Sequence, residues 1–282
     1  MTERSLQTGG ERPIRAIATD LDGTFLKSAS ELHPRSVEAF RRAARAGVGI
    51  VFATGRPPRW VGVLDPLANI EPVVISTNGA VLYDLARRQV LDHHDLDVTD
   101  TLDFAAELAD RIPDVCFAVE YVHAEWGTDP RYETLLAEGR VRPASIAPLD
   151  ELLGIDAAVK VLVISPGTDT EALAAAAQDI AGDRITVTFS MMREQGLIEC
   201  SAPGVSKAAM LTEVLARMGV DPAEAMAFGD MPNDTDMLDM VGHPYVMANA
   251  HLSLRDGRYP IAGENTEGAV GAVVEREVLD LL

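Results

Sequence analysis

The order of apolar and polar segments along the chain predicts alternating strands and helices in its first part. Short apolar runs rich in β-branched residues indicate strands, and the longer segments between them have helical patterns. The strands are expected at 14–19, 48–53 and 73–76, and the helices at 34–45 and 57–67. Pro34 and Pro57 suit the first turn of a helix. This alternation favours βαβ units in a parallel sheet that is buried on both faces.

The pattern changes after about Tyr83 and returns from Val205. Between them, strands with few crossover helices predict an inserted α+β module. Its segments are two strands about a turn within 81–96, a helix at 101–111, strands at 115–122 and 158–164, a helix at 170–181, and strands near 185–189 and 197–200. The sequence therefore predicts an α/β fold with a Rossmann-like, doubly wound parallel sheet, residues 1–83 and 201–282, and an inserted α+β cap, residues 84–200.

Composition narrows the class of protein. The chain has 282 residues, of which 47% are hydrophobic, enough for one large or two modest domains with their own cores. Its formal net charge of -20 opposes binding to nucleic acid or to an anionic membrane surface. An anionic substrate would therefore need local cations.

Cysteine usage and the N-terminal segment indicate a cytoplasmic protein. Cys116 and Cys200 have no metal-binding spacing, so buried thiols in a reducing compartment are expected. The segment 1–13 lacks the apolar stretch of a signal peptide and is expected to be a frayed leader. No stretch is long and apolar enough to span a bilayer.

Polar residues follow the predicted strands at their carboxyl ends, where open parallel sheets bind ligands. They are Asp20 and Asp22; Thr54, Gly55 and Arg56; Asn78 and Gly79; and Asp230, Asn233 and Asp234. The four carboxylates on one rim would repel one another unless a divalent cation neutralised them, and an all-oxygen set suits Mg²⁺. The sequence therefore predicts a Mg²⁺ site, which would also attract a phosphate oxygen.

Two further positions indicate anion binding. Lys207 follows Ser206, a candidate N-cap, and a positive charge is unfavourable at this end of a helix unless an anion binds there. Thr54 and Gly55 end a strand before a helix, so a hydroxyl and backbone N–H groups can face an anion. Arg56 would add a charged contact to the substrate or the cap.

Other motifs are weaker. The run Asp-His-His-Asp at 92–95 resembles a metal cluster, but adjacent strand residues point to opposite faces, so a solvated strand end is expected. A calcium loop starting at Asp20 fails because Phe25 stands where the loop needs glycine. A cap pocket and a packed cap core are both open interpretations of three residues, His123, Glu125 and Trp126.

Five motifs occur in a fixed order along nearly the whole chain. They are DLDGTFL at 20–26, ATGR at 53–56, STNGA at 76–80, GVSK at 204–207 and GDMPNDTDML at 229–238. On these motifs the chain resembles the haloacid dehalogenase-like hydrolases, specifically the Cof-type phosphatases with a large α+β cap. The resemblance implies that the insert closes over the site, excludes water and selects the leaving group.

The resemblance also implies a role for each motif residue. Asp20 would be the nucleophile that forms an aspartyl-phosphate, and Asp22 would be the general acid and base. Mg²⁺ would be held by Asp20, the backbone carbonyl of Asp22 and Asp230, with Asp234 supporting this set. The remaining groups would bind the phosphoryl group or the substrate: Thr54, Gly55, Arg56, Asn78, Gly79, Lys207 and Asn233.

The leading hypothesis is a Mg²⁺-dependent phosphatase for a small phosphomonoester, such as a sugar phosphate. A phosphomutase would instead use Asp20 to move phosphate between two positions of a sugar. A receiver-type signalling module would carry its acceptor Asp after the third strand, where this chain has 76–78, and a non-catalytic binder would not need Asp22. The sequence leaves the metabolite and the oligomeric state open; an exposed apolar cap face would support a homodimer.

Overall fold

A computed structural model describes residues 13–123, 125–135, 142–190 and 194–280. The leader expected at 1–13 therefore lies, apart from Pro13, outside the described residues. The described strands form a seven-stranded sheet, a six-stranded sheet and a short hairpin. The first sheet is the core of the molecule, and the second belongs to the insert.

The strands are β1 (Ala16–Thr19), β2 (Leu26–Ser28), β3 (Glu31–Leu32), β4 (Gly49–Ala53), β5 (Val73–Ser76), β6 (Val81–Asp84), β7 (Gln89–His93), β8 (Cys116–Tyr121), β9 (Gly127–Thr128), β10 (Ser145–Ile146), β11 (Ala158–Ser165), β12 (Thr186–Thr188), β13 (Gly196–Ser201), β14 (Ala225–Gly229) and β15 (His243–Val246). The α-helices are α1 (Pro34–Arg45), α2 (Val98–Arg111), α3 (Pro130–Leu135), α4 (Leu149–Leu152), α5 (Thr170–Ala181), α6 (Lys207–Met218), α7 (Thr235–Met240) and α8 (Ala269–Val274). Short 3₁₀ and π-helical turns connect several of them.

The core sheet has the order β15-β14-β1-β4-β5-β6-β7. Its strands are parallel from β15 to β5, as the sequence predicts, whereas β6 and β7 add an antiparallel hairpin at the edge. The predicted cap boundary at residue 84 is therefore wrong for β7, which pairs with β6 in the core sheet. The reason is local, since Asp84 accepts a hydrogen bond from the backbone of Arg87 and closes a tight turn.

Burial on both faces explains the apolar composition of the central strands. Every residue of β1 and β14 is buried, and α1 packs with α8 while α6 packs with α7. Three aromatic rings, Phe25, Phe40 and Phe52, lie within 4.6 to 5.8 Å of one another between β1, α1 and β4. This packing fixes the ends of β1 and β4, from which site residues project.

The second predicted helix differs from the expectation. Residues Pro58–Ile70 form 3₁₀ turns and not an α-helix over 57–67. Pro66 lies inside this segment, where it supplies no backbone N–H, and Glu71 ends it in a left-handed conformation with φ of 49°. By contrast α1 has the predicted bounds, because Pro34 occupies its first turn and His33 caps it by accepting from the backbone N–H of Arg35.

The sheet of the insert, called the cap sheet below after its predicted role, has the order β10-β9-β8-β11-β13-β12. One face, which includes Val119, Val161 and Ile198, packs in an apolar cluster with residues of α2 and α5. Because side chains alternate along a strand, charged residues of the same strands lie on the opposite face. Within the described ranges, no helix has the length and apolar character needed to cross a membrane.

Candidate active site

Three buried carboxylates meet at the carboxyl ends of β1 and β14. Asp20 follows β1, Asp230 follows β14, and these two strands are parallel neighbours with Thr19 opposite Phe228. Asp234 lies in the 3₁₀ turn after β14, and one oxygen of each of the three carboxylates lies within 4.8 Å of the other two. The sheet register therefore brings together groups that are far apart in sequence.

Lys207 lies beneath this cluster and is itself buried. Its Nζ donates to Asp20 Oδ1 at 2.5 Å and to Asp234 Oδ1 at 2.7 Å. Burial alone would lower the pKa of Lys207, but the two carboxylates raise it above its ordinary value. The ammonium group of Lys207 is therefore a fixed positive charge in contact with the Asp20 carboxylate.

One ammonium does not neutralise three carboxylates. Burial, followed by repulsion from neighbouring carboxylates, raises the pKa of Asp230 to about 7, although a hydrogen bond from Thr24 opposes this shift. Burial also raises the pKa of Asp20 well above its ordinary value, with Lys207 opposing and Asp234 reinforcing the shift. Ionisation of all three carboxyl groups is therefore unfavourable in the protein alone, and a further cation would offset this cost.

Asp234 differs from the other two carboxylates because both of its oxygens are engaged. Oδ1 accepts from Lys207, and Oδ2 accepts from the backbone N–H groups of Asp230 at 2.9 Å and Met231 at 3.0 Å. Asp234 therefore orients Lys207 and the loop that carries Asp230. This geometry agrees with a role of Asp234 in supporting the metal ligands. Asp20 and Asp230 have the carboxylate oxygens that are more open to a metal ion.

The carboxylates fit a divalent cation such as Mg²⁺. The donor set is all oxygen, and the backbone at Gly23 approaches Asp230 so closely that a Cβ there would lie 2.3 Å from Asp230 Oδ2. Gly23 also has φ of 81°, which favours glycine. The backbone of the turn after β1 can thus approach the Asp230 carboxylate closely, because Gly23 has no side chain.

Asp22 does not join the carboxylate cluster. Its side chain is half exposed, and Arg56 holds it through two hydrogen bonds, Nε to Oδ2 at 2.7 Å and a terminal nitrogen to Oδ1 at 2.6 Å. The chain turns at Gly23 directly after it, and the Asp22 carboxylate is not one of the three whose oxygens lie within 4.8 Å of one another. The prediction of Asp22 as a metal ligand therefore applies only to its backbone carbonyl, not to its side chain.

The loops after β4 and β5 form a second part of the site. Thr54 is buried, and its Oγ1 accepts from the backbone N–H of Arg56 at 3.1 Å. The backbone N–H of Asn78 donates to the Thr54 carbonyl at 2.9 Å, and that of Thr77 donates to the Arg56 carbonyl at 3.0 Å. Thr77, Asn78 and Gly79 all have positive φ, a rare conformation for a β-branched residue such as Thr77.

Asn78 and Gly79, predicted as substrate contacts, have other partners. Asn78 Oδ1 accepts from Asn233 Nδ2 at 3.2 Å, and Asn78 Nδ2 donates to Glu199 of the cap. Gly79 lies against α6, where a Cβ would be 2.2 Å from the carbonyl oxygen of Ser206. These two residues therefore join the site to the cap and to the helix that carries Lys207.

A cavity of about 460 Å³ separates the core site from the cap sheet. Its core wall includes six predicted residues: Asp20, Asp22, Thr54, Gly55, Arg56 and Asn233. Its cap wall includes residues that the sequence analysis missed: Glu120, Tyr132, Lys160, Leu162, Ser190, Leu197 and Glu199. Glu120, Lys160 and Glu199 could have been found, since each is the lone charge within an apolar strand, in CFAVEY, AVKVLVIS and GLIECS.

The cap wall contacts the core through ion pairs and hydrogen bonds. Lys160 Nζ donates to the carbonyl of Gly55 at 2.8 Å and to Glu199 Oε1 at 3.1 Å. Arg59 forms a two-point ion pair with Glu120, with one hydrogen bond of 2.7 Å. Both carboxylates and Lys160 are buried.

The weaker motifs have no place in this site. His93 Nδ1 lies 2.6 Å from Asp95 Oδ1. Among the described residues, the one group of side chains close enough together to hold a metal ion consists of Asp20, Asp230 and Asp234. His123 and Glu125 are exposed outside the cavity wall. Trp126 packs against Tyr132, so the interpretation of this aromatic residue as cap core is confirmed. Both cysteines are buried free thiols.

Fold and site together define an α/β protein with a capped acidic cleft at the strand ends. The model of the haloacid dehalogenase-like hydrolase family matches residues 17–274. The chain belongs to this family, as its five ordered motifs predict, and more specifically to its Cof-type members.

Three curated relatives are phosphatases. The 5-amino-6-(5-phospho-D-ribitylamino)uracil phosphatase of Bacillus subtilis is 24% identical over 285 residues, with 93% of this chain and 98% of the relative covered. The pyridoxal phosphate phosphatase of Escherichia coli is 26% identical and covers 92% and 97%. An HMP-PP phosphatase of Serratia proteamaculans is 25% identical and covers 86% of each chain.

Solved structures have the same fold. A phosphatase of the haloalkanoate enzyme superfamily from Bacteroides thetaiotaomicron superposes with a TM-score of 0.78 at 20% identity, over 97% of this chain and 98% of that chain. A subclass IIB sugar phosphatase of this superfamily gives a TM-score of 0.77 at 18% identity, over 93% and 98%. The predicted α/β fold is thereby confirmed.

Proposed function

We propose that this chain is a Mg²⁺-dependent phosphatase of small phosphomonoesters, with Asp20 as the nucleophile. The observation that carries the proposal is the position of Asp20, which faces the cavity while Lys207 holds its carboxylate from below at 2.5 Å. The three relatives are phosphatases of small phosphorylated metabolites, which supports the same class of substrate. A cavity of about 460 Å³ is of the size that encloses one such molecule.

The phosphoryl group would lie between the two parts of the site. Thr54 and Lys207 would contact its non-bridging oxygens, with the backbone at Gly55 as a further donor. Asp20, Asp230 and the backbone carbonyl of Asp22 would hold Mg²⁺, and Asp234 would support them. When bound, Mg²⁺ would supply positive charge that offsets the carboxylates and polarises the phosphoryl oxygens.

The reaction would proceed in two displacements at phosphorus. A carboxylate oxygen of Asp20 attacks the phosphorus, the ester P–O bond breaks, and Asp22 gives its proton to the leaving alkoxide. Asp22 then takes a proton from water, whose oxygen attacks the phosphorus and releases phosphate and free Asp20. Arg56 donates to both oxygens of Asp22, so this ion pair would have to open before the carboxyl could carry the proton that it gives to the leaving alkoxide.

The six-stranded sheet with its helices would be the cap, with its chain leaving the core after β7. Its charged face closes the cavity above Asp20, which would exclude water from the first displacement. The oligomeric state stays a prediction from the sequence.

Hydrolysis of p-nitrophenyl phosphate by Asp20→Asn tests the nucleophile. We expect wild-type protein to release p-nitrophenol with Mg²⁺, to stop reversibly with EDTA, and to yield an acid-stable phosphorylated protein after rapid quenching. Asp20→Asn should release no p-nitrophenol and form no phosphorylated protein. Asp65→Asn, which removes an exposed carboxylate paired with Arg88, should behave like wild type. Undiminished turnover by Asp20→Asn would refute the assignment.

The product distinguishes hydrolysis from the mutase alternative. With a sugar phosphate, a phosphatase releases inorganic phosphate in proportion to substrate lost. A mutase would instead give an isomeric sugar phosphate with little free phosphate.

A further inference from the structure

Three neighbouring cap strands each place one charged residue on the face that closes the cavity. Glu120 of β8 stands opposite Lys160 of β11, and Glu199 of β13 stands opposite Leu162 of β11. All three charged side chains line the cavity, and each is buried. This face therefore presents two carboxylates and one ammonium to the cavity above Asp20, and Arg59 of the core pairs with one of the two carboxylates, Glu120.

The charged face lies directly beside the proposed phosphoryl position. Lys160 donates to the carbonyl of Gly55, the residue after Thr54, and Glu199 accepts from Asn78, whose backbone N–H binds the Thr54 carbonyl. A group attached to the phosphoryl oxygen would occupy the cavity that Lys160 and Glu199 line. The face is thus part of the leaving-group site and not a distant surface.

Hydrogen-bonding capacity remains on this face. Each carboxylate oxygen has two lone pairs, and the Lys160 ammonium has three N–H donors, of which the contacts to Gly55 and Glu199 use two. A hydroxyl group can accept from an ammonium and donate to a carboxylate at once. On this face an anionic group could use the ammonium only, and it would lie against the Glu199 carboxylate, which shares that ammonium, in a site of low dielectric constant.

We propose that Glu120, Lys160 and Glu199 select an uncharged, hydroxyl-bearing leaving group and exclude leaving groups that carry a carboxylate or a second phosphate. The inference rests on the proposed phosphatase function and adds the substrate class. Glu199 and Lys160 are the specificity-determining pair, because they lie closest to the Thr54 loop, while Arg59 balances Glu120 from outside the cavity wall.

A matched pair of esters tests the proposal. Glycerol 3-phosphate and 3-phosphoglycerate have the same three-carbon leaving group, except that a hydroxymethyl group in the first is a carboxylate in the second. We expect wild-type kcat/KM to favour glycerol 3-phosphate at least tenfold. If either ester turns over too slowly, its inhibition constant against p-nitrophenyl phosphate gives the same comparison.

Two variants separate this local selection from the repulsion of anions by a protein of net charge -20. Glu199→Gln removes one carboxylate and should shift the preference at least tenfold toward 3-phosphoglycerate. Lys160→Met removes the ammonium and should shift it the opposite way. Glu275→Gln, which neutralises a carboxylate paired with Arg35 far from the cavity, should leave the ratio unchanged.

Several results would overturn the proposal. Equal use of both esters by wild type, or preference for the acidic one, excludes it without any variant. If Glu199→Gln and Lys160→Met lower kcat/KM for both esters by the same factor, the Lys160–Glu199 ion pair only holds the cap against the core. If no phosphomonoester is hydrolysed at all, including p-nitrophenyl phosphate, the proposed function itself fails.

Discussion

Because three carboxylates lie close together in the site, we predict two effects of Asp230→Asn. The substitution should make the metal-free protein more stable, and it should abolish phosphatase activity. Asp230 is buried, and its neighbours include the carboxylates of Asp20 and Asp234. An amide at this position keeps an oxygen that can accept from Thr24, which donates to Asp230 Oδ1 at 2.9 Å. The substitution therefore removes charge from the cluster with little change of shape.

The magnitude follows from the pKa of Asp230, which rises from its ordinary 3.8 to about 7 in the fold. At about 1.4 kcal/mol per pKa unit, keeping this carboxyl ionised in the metal-free fold costs about 4 kcal/mol. Because the folded pKa is the higher one, the group contributes most to stability below pH 3.8, and this contribution is lost as the pH rises to 7. The advantage of the variant should therefore grow with pH and level off above pH 7.

Urea unfolding in EDTA at pH 5.5, 6.5 and 8 measures the effect. We expect Asp230→Asn to exceed wild type by about 2 to 4 kcal/mol at pH 8 and by less at pH 5.5. Asp65→Asn is the matched control and should show no such trend. Added Mg²⁺ should stabilise wild type but not Asp230→Asn. A variant that is less stable at pH 8, or an advantage independent of pH, would refute the electrostatic reasoning.

Three further outcomes follow from the same structure. Lys207→Met should lower kcat/KM for p-nitrophenyl phosphate at least a hundredfold, or about 3 kcal/mol, since it removes the cation beside Asp20; a smaller loss would exclude a phosphoryl contact. Gly79→Ala should cost about 2 kcal/mol or more in urea unfolding, because its φ is 104° and its Cβ would meet the Ser206 carbonyl. Cys116 and Cys200 should react with a thiol reagent only after unfolding, because burial raises the pKa of both thiols, and rapid labelling of native protein would contradict this.

Local signals in the sequence were enough to predict several elements and the core of the site. The helix at 170–181 has the predicted bounds because Asp169 caps its first turn and Gly182 follows its last. Asp20 and Asp230 could be placed together because parallel strands end at one edge of a sheet. In these cases a short-range rule determined the position.

Other features depended on long-range packing that a local pattern does not encode. The assignment of β7 to the core sheet required knowing that its hairpin with β6 extends the sheet edge. The side chain of Asp22 could not be directed from sequence, since its partner Arg56 comes from another strand end. Lys160 and Glu199 stand out in the sequence as lone charges in apolar strands, but only the register of the cap sheet shows that they share a face.

The insertion of the cap between β7 and β14 also orders events during synthesis of the chain. β1 pairs with β14, so the pair that carries Asp20 and Asp230 must wait until the ribosome has made Ala225–Gly229 of the 282 residues. All six strands of the cap sheet precede β14, so that sheet can close first. Such distant pairing slows folding, and until β14 arrives the apolar edge of β1 is open to association with other chains. The order of the strands therefore allows the six-stranded sheet to form before Asp20 and Asp230 come together.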